Sequence, residues 1–122
     1  TINTNTVMRS NNNTGGIDVI QLKKEVGTIN VKNATVKKLT IRVVSSFDYE
    51  NNVSVTLGGN ALTLPDPATT NAAAISSGVS NAKGYDINYY DVVVELDAAA
   101  TGDLVIKNTT SYAVYFAYII IE

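Results

Sequence analysis

The tyrosines are the side chains of this sequence best suited to functional chemistry, and that chemistry is contact rather than catalysis. The chain has seven Tyr residues but no His, Cys or Trp. His is the commonest general base and metal ligand, and Cys supplies disulfides and thiolate nucleophiles, so sites built on either residue are excluded. A Tyr ring is flat and apolar with a polar hydroxyl, so a row of exposed rings can stack on a sugar or pack against a protein.

The eleven acidic residues do not form a pattern typical of an active site. Paired carboxylates could serve a glycosidase, but these acids are scattered and mostly fall in predicted turns, which Asp favours. A calcium site would need only oxygen ligands, and Asp48 with Glu50, or Asp97 with Asp103, could contribute them. No acid-rich calcium-binding loop motif is present, so we predict no enzyme, no catalytic residue, no metal and no cofactor.

Length and charge narrow the class of protein further. A chain of 122 residues corresponds to one domain with a core of its own. The net charge is −2 and the pI is about 5.0, so the chain lacks the excess of positive charge that is typical of a nucleic-acid binder. No apolar run is long enough to span a bilayer. We therefore expect neither a nucleic-acid nor a membrane partner.

Two long predicted strands would carry most of the tyrosines. In the first, Tyr85–Leu96, alternation directs Tyr90, Val92, Val94 and Leu96 inward and Tyr89, Asp91, Val93 and Glu95 outward. The last, Tyr112–Glu122, is apolar on both faces. One parity holds Val114, Phe116, Tyr118 and Ile120, and the other holds Tyr115, Ala117, Ile119 and Ile121. A strand with one solvated face should alternate instead, so something must cover its second face: another subunit, which we favour, or the connection of residues 65–84 folding back.

The remaining elements predict an all-β fold. Val36–Val44 alternates, with Leu39, Ile41 and Val43 facing one way. Val53–Leu64 is a hairpin, because Gly58, Gly59 and Asn60 supply the positive φ of a tight turn. About eight to nine strands with frequent turn signals predict an antiparallel β-sandwich of jelly-roll type.

Two segments leave alternatives open. Residues 1–16 form a polar N-terminal arm before a sandwich domain of residues 17–122, and this arm is either a frayed end or a strand that pairs with a neighbouring subunit. Residues 67–76 form either one short helix, started by Pro67, or part of a surface loop.

The strand sequences carry a resemblance to a known group. From Leu39 onward, LTIRVV, VSVTLGGNALTL, YDVVVEL, DLVIKN and VYFAYIII resemble the second half of galactose-binding-like jelly rolls. The resemblance implies a carbohydrate-binding role, although the Trp that such modules stack on sugars is missing. In composition and organisation the chain also resembles bacteriophage virion proteins that decorate or cement capsids, because it is a Cys-free sandwich that is rich in Asn and Thr and has a polar arm. That resemblance implies a non-enzymatic homo-oligomer.

Three functions follow from these observations. The first is a structural virion subunit that self-associates and binds a larger protein assembly, the second is a carbohydrate-binding module, and the third is an extracellular fibre subunit assembled by strand donation. The favoured location is accordingly the virion or the extracellular space. The predicted contact residues, for a subunit or a ligand, are Tyr89, Tyr115, Ile119, Ile121, Ile2 and Val7.

Overall fold

The structure is a computed structural model, and it describes residues 6–9, 19–22, 27–44, 53–65, 75–80, 84, 86–109 and 114–122. Within these ranges every regular element is a β-strand, which confirms the predicted all-β class. The strands are β1 (Thr6–Arg9), β2 (Val19–Leu22), β3 (Thr28–Val44), β4 (Val53–Leu57), β5 (Asn60–Ala61), β6 (Ile75–Ser80), β7 (Asp86–Asn108) and β8 (Val114–Ile121). No described segment is a helix long and apolar enough to cross a membrane.

Strands β3 and β7 form the frame of the fold. They pair antiparallel over most of their length, and the last pair is Val44 with Tyr89. The ladder shifts register before Ala34 and again between Val36 and Lys38. Irregularities of this kind bend a strand and increase its twist. The same two strands can therefore run from one layer of a sandwich into the other.

The other strands attach to the two halves of this frame. The sheet order is β1-β2-β8-β3-β7-β4-β5, and β6 also pairs with β7. Strand β8 pairs with the C-terminal half of β3, and β2 and β1 follow it outward. Strand β4 pairs with the C-terminal half of β7, and β5 pairs with β4. All of these pairings are antiparallel, and the two groups of strands make the two layers of a sandwich.

The core lies between these layers and is built from alternate residues of each strand. One layer contributes Leu39, Ile41, Val43, Val92, Val94 and Phe116, and the other contributes Val53, Val55, Leu57, Leu104 and Ile106. Val53 of one layer and Phe116 of the other line the same apolar void of about 10 Å³, so the layers face each other directly. Each such side chain stabilises the fold by about 1.5–3 kcal/mol when it is buried.

A buried polar residue ties the end of β7 to the opposite layer. Asn108 is 0% exposed. Its Nδ2 donates a hydrogen bond to the carbonyl of Leu22 at 3.0 Å, and its backbone N–H donates to the carbonyl of Gly27 at 2.9 Å. A buried amide is stable only when such partners are present, so Asn108 fixes where β7 ends relative to β2.

The predicted hairpin is present as β4–β5, but its turn is one residue shorter than expected, because Asn60 belongs to β5 and β5 ends at Ala61 rather than Leu64. Gly58 and Gly59 have φ of 58° and 83°, and Leu57 pairs with Asn60 on either side of them. Positive φ at both central residues is typical of a type I′ turn. A Cβ atom at Gly102 of β7 would lie 2.7 Å from the Cα of Gly58, so this close approach of two backbones needs glycine.

Three predicted elements differ from the structure or fall outside it. The expected turn between two strands at Asp97–Gly102 is wrong, because β7 is one continuous strand. Most of the predicted helix lies outside the described residues, and its last two positions, Ile75 and Ser76, belong to β6 instead. Within the arm, residues 6–9 pair with β2 of the same chain, and an arm that reaches a neighbouring subunit stays a prediction.

Candidate functional site

An irregularity in β8 decides which of its side chains face outward. Arg42 of β3 pairs with Tyr118, but the next residue, Val43, pairs with Phe116. One extra residue, Ala117, is therefore inserted in β8, and a one-residue shift exchanges the faces of a strand. The simple alternation expected from the sequence is wrong beyond this point.

The exchange changes the roles of two predicted contact residues. Ile119 and Ile121 were expected on the outer side, but they pair with Ile41 and Leu39 and pack against the core. The residues that do face outward after the bulge are Tyr118 and Ile120. Ile120 is 42% exposed. Ile119 and Ile121 are therefore covered by the core of the same chain, and they do not need a second subunit to cover them.

The outward side chains of β7, β3 and β8 form three cross-strand rows, which together with Tyr89 we call the outer face. The rows are Asp91–Arg42–Tyr118, Val93–Thr40–Ile120 and Glu95–Lys38–Glu122. Neighbouring strands lie about 4.8 Å apart, and rows on one face lie about 6.8 Å apart. The three rows therefore form a platform of about 10 Å by about 14 Å.

The first row is organised by a two-point ion pair. Arg42 donates from Nε to Oδ1 of Asp91 at 2.8 Å and from Nη2 to Oδ2 at 3.0 Å. The two side chains are 22% and 29% exposed, so the pair is partly shielded from water. The hydrogen bond to Asp91 raises the pKa of Arg42 above its usual value. The guanidinium is therefore charged and held in one orientation.

Two tyrosine rings flank this guanidinium. The Cζ atom of Arg42 lies 4.5 Å from the ring centroid of Tyr118 and 5.5 Å from that of Tyr89. Both distances fall within the range of a cation–π contact, which contributes about 0.5–1 kcal/mol at an exposed site. The contacts restrict the rings, so they lose little conformational freedom when something binds against them.

Beside this polar row lies a small apolar row. Val93 and Ile120 are 40% and 42% exposed, and they are two of the three large apolar side chains that are exposed in the described part of the chain. Thr40 lies between them and is 9% exposed. The outer face thus combines aromatic rings, planar charged groups and a narrow apolar surface within a few ångströms.

The structure brings two of the predicted contact residues to this side of the sheet. Tyr89 belongs to the outer face itself. Tyr115 precedes the inward Phe116, and its hydroxyl accepts a hydrogen bond from Nε2 of Gln21 at 3.3 Å. Val7 of β1 pairs with Gln21 of β2, and Gln21 pairs with Tyr115 of β8 on its other side. Ile2 lies outside the described residues.

Sequence reasoning did not single out Arg42, Asp91 or Tyr118 as site residues. A signal was present, because Arg42 and Asp91 are opposite charges in the middle of two strands that are otherwise apolar. Such charges are expected to pair with each other across a sheet. Tyr118 could not be placed, because the sequence does not mark the bulge that turns it outward.

The acidic residues of the described chain do not form a metal centre. No group of three or more His, Cys, Asp or Glu residues within the described ranges could hold a metal ion. Of the pairs considered from sequence, Asp48 and Glu50 lie outside those ranges. Oδ1 of Asp103 accepts a hydrogen bond from the backbone N–H of Asn33 at 3.1 Å, and Asn33 has a positive φ of 52°. Asp103 therefore caps a strained backbone position.

Within the described part of the chain, a groove at the β4–β5 edge is a second feature that could take a ligand. Its volume is about 260 Å³, and among its described lining residues Ser54, Thr63 and Thr109 provide hydroxyl groups. The rest of this lining is aliphatic, with no ring and no charged group among the described residues. It lacks the flat surface that stacks on a sugar, so the outer face is the stronger candidate.

Comparison with known proteins finds similarity in structure alone. No protein-family model and no curated protein sequence matches the chain. CsCBM6-3 from Clostridium stercorarium, a family 6 carbohydrate-binding module in complex with cellobiose, is similar with a TM-score of 0.54 and 18% identity. The similarity covers 98% of this chain and 83% of that one.

Two structures of the catalytic domain of a GH87 α-1,3-glucanase, one with nigerose and one with tetrasaccharides, each have a TM-score of 0.56 and 13% identity. All of this chain is covered in both, but it spans only about a quarter of theirs, 26% and 27%. At these identities the likeness shows the fold alone. That fold is an antiparallel β-sandwich, as the strand sequences predicted, and nothing in these matches supports the resemblance to virion proteins.

Proposed function

We propose that this chain is a non-catalytic carbohydrate-binding module and that its outer face holds the sugar. The observation that carries the proposal is the cluster of Tyr89, Arg42 and Tyr118, held in place by Asp91. A pyranose ring has an apolar C–H face and a rim of hydroxyl groups. Rigid aromatic rings match the first, and planar groups with several donors and acceptors match the second.

The outer face is suited to binding and not to bond cleavage. Glycoside hydrolysis by the usual route needs one carboxyl group as a general acid and another as a base or nucleophile. On this face both oxygens of Asp91 accept hydrogen bonds from Arg42, and the other two carboxylates, Glu95 and Glu122, lie on either side of Lys38. The solved structures with a similar fold add support, because CsCBM6-3 was determined with cellobiose and the glucanase domains with nigerose or tetrasaccharides.

A second copy of the chain fits the outer face less well than a sugar does. Two copies packed face to face on a two-fold axis through Thr40 would repeat the same surface. With the axis along the strands, Arg42 would lie opposite Arg42 and Glu95 opposite Glu122. With the axis across the strands, Arg42 would lie opposite Lys38. Each arrangement brings like charges together, which opposes association.

We also propose an extracellular location, where polysaccharide can reach this face. The first test is binding of the purified chain to an array of neutral and acidic glycans, followed by calorimetric titration of the glycan that binds best. Tyr118→Ala should weaken that binding by about fivefold or more, since loss of a central aromatic contact typically removes at least about 1 kcal/mol. Tyr118→Phe should retain most of the affinity because the ring remains.

Lys107→Ala is the matched control, because Lys107 is exposed on β7 at the end that pairs with β4, away from the outer face. It should bind like the wild type. Urea unfolding of each variant separates loss of binding from loss of fold. Equal binding by the wild type and Tyr118→Ala would show that the sugar binds elsewhere, and no binding to any glycan by the folded wild type would refute the proposal.

A further inference from the structure

We infer that Asp91 makes the outer face selective for uncharged glycans, because it occupies the guanidinium group that an anionic sugar would otherwise bind. The inference rests on the proposed function, since it concerns the same face. It goes further in assigning a specificity-determining residue and in naming the class of glycan that is rejected.

An unpaired arginine between two tyrosines would be an anion site. The planar guanidinium of Arg matches the two oxygens of a carboxylate or sulfate better than any other side chain. In this protein Asp91 already fills that position, with Nε to Oδ1 at 2.8 Å and Nη2 to Oδ2 at 3.0 Å. A uronate or a sulfated sugar would have to displace Asp91 and leave a partly shielded carboxylate without its partner.

The other cation of the outer face, Lys38, also has carboxylate neighbours, although its contacts are looser and more exposed. Lys38 pairs in register with Glu95 on one side, and its Nζ lies 4.0 Å from Oε2 of Glu122 on the other. The three rows therefore hold two cations, Lys38 and Arg42, against three carboxylates, so their net charge is 2 − 3 = −1. Anionic polysaccharides meet repulsion over the platform as a whole, in addition to the competition from Asp91.

A neutral sugar meets neither obstacle. Carboxylate oxygens have more than one acceptor position, so Asp91 can accept a hydrogen bond from a sugar hydroxyl while it stays bound to Arg42. The ion pair then acts as one rigid, neutral unit. Binding of this kind should depend little on ionic strength, because no net charge is exchanged with solvent.

The test compares two sets of oligosaccharides on the wild type, Asp91→Asn and Glu95→Gln by calorimetric titration. Cellohexaose, laminarihexaose and nigerose form the neutral set, and hexagalacturonate and a chondroitin sulfate hexasaccharide form the anionic set. The wild type should bind its best neutral sugar about tenfold more tightly than either anionic one. Asp91→Asn keeps the size of the side chain but frees the charge of Arg42, so it should gain at least about threefold in affinity for an anionic sugar.

Glu95→Gln is the matched control, since it removes one carboxylate from the same face without releasing Arg42. Its affinity for the anionic set should rise by less than about twofold and by less than that of Asp91→Asn, because it relieves only the general repulsion and leaves Arg42 paired. An equal gain in both variants would mean that overall charge, and not Asp91, sets the selectivity. Anionic sugars binding the wild type as tightly as neutral ones would overturn the inference while the proposed function stands, even if Asp91→Asn failed to fold. No binding of any sugar in either set would count against the proposed function itself.

Discussion

Replacing Ile119 and, separately, Ile120 by alanine tests which side of β8 faces the core. The two substitutions remove the same atoms from adjacent positions of one strand. Ile119 lies opposite Ile41 and packs against the core, whereas Ile120 lies opposite Thr40 and is 42% exposed. The loss of β-strand propensity is similar at both positions, so the difference between the variants isolates burial.

The expected magnitudes follow from that difference. Replacing a fully buried Ile by Ala typically lowers the free energy of unfolding by about 2–5 kcal/mol. Ile119 is only partly buried, so we expect a loss of about 1.5–2.5 kcal/mol. Ile120→Ala should cost about 0.5 kcal/mol, as is usual for an exposed position. The gap of at least about 1 kcal/mol corresponds to roughly 4 °C in Tm for a domain of this size.

Urea unfolding followed by circular dichroism measures both values, and equal m-values would show that the unfolded states are comparable. Strict alternation without the bulge predicts the reverse order, with Ile120 inside and Ile119 outside. A loss for Ile120→Ala as large as that for Ile119→Ala would therefore refute the bulge. Tyr118 would then point inward, and the candidate site would lose its central ring.

Other substitutions test the remaining parts of the account. Asn108→Ala leaves buried hydrogen-bond partners unmatched and should lower the free energy of unfolding by about 1–3 kcal/mol in urea melts; a loss below about 0.5 kcal/mol would contradict the structural role of this amide. Gly102→Ala should destabilise the fold by about 1–3 kcal/mol, because its Cβ would lie 2.7 Å from the Cα of Gly58; wild-type stability would mean that the two backbones lie further apart. A double-mutant cycle of Arg42→Ala and Asp91→Ala should give a coupling free energy of about 0.5–1 kcal/mol, reduced by salt; zero coupling would place the two side chains apart.

Much of the fold could be predicted from the sequence because alternation is local information. The inward set of β3, Leu39, Ile41 and Val43, and the inward pair Val92 and Val94 of β7 follow from period two alone. The hairpin predicted at Val53–Leu64 follows from its glycines, although its second strand, Asn60–Ala61, is shorter than expected. In each case neighbouring residues determine both the strand and its face.

The candidate site could be predicted only in part, because it depends on register. Tyr89 was assigned to the outer side correctly, since no irregularity lies between it and the inward Val92 and Val94. Tyr118 was not, because one inserted residue in β8 reverses every later position. The pairing of Arg42 with Asp91 joins positions 49 residues apart, and periodicity carries no information on such a distance.

The extent of β7 illustrates a second limit. Asp97–Gly102 has the composition of a turn, yet these residues continue the strand. The tertiary context overrides local preference here, since Lys37 Nζ donates to the carbonyls of Leu96 and Asp97 and the strand bends into the second layer. Propensity is a weak guide where a strand crosses between sheets.

Sugar binding at the outer face is tested most directly by an NMR titration of ¹⁵N-labelled protein with the neutral oligosaccharide that binds best on the array. The largest shifts should fall on the amides of the outer face, above all those of Thr40, Arg42, Asp91 and Tyr118. In Tyr118→Ala the same shifts should need at least about fivefold more sugar to develop. Shifts centred instead on the β4–β5 groove, around Ser54 and Thr63, would contradict sugar binding at the outer face.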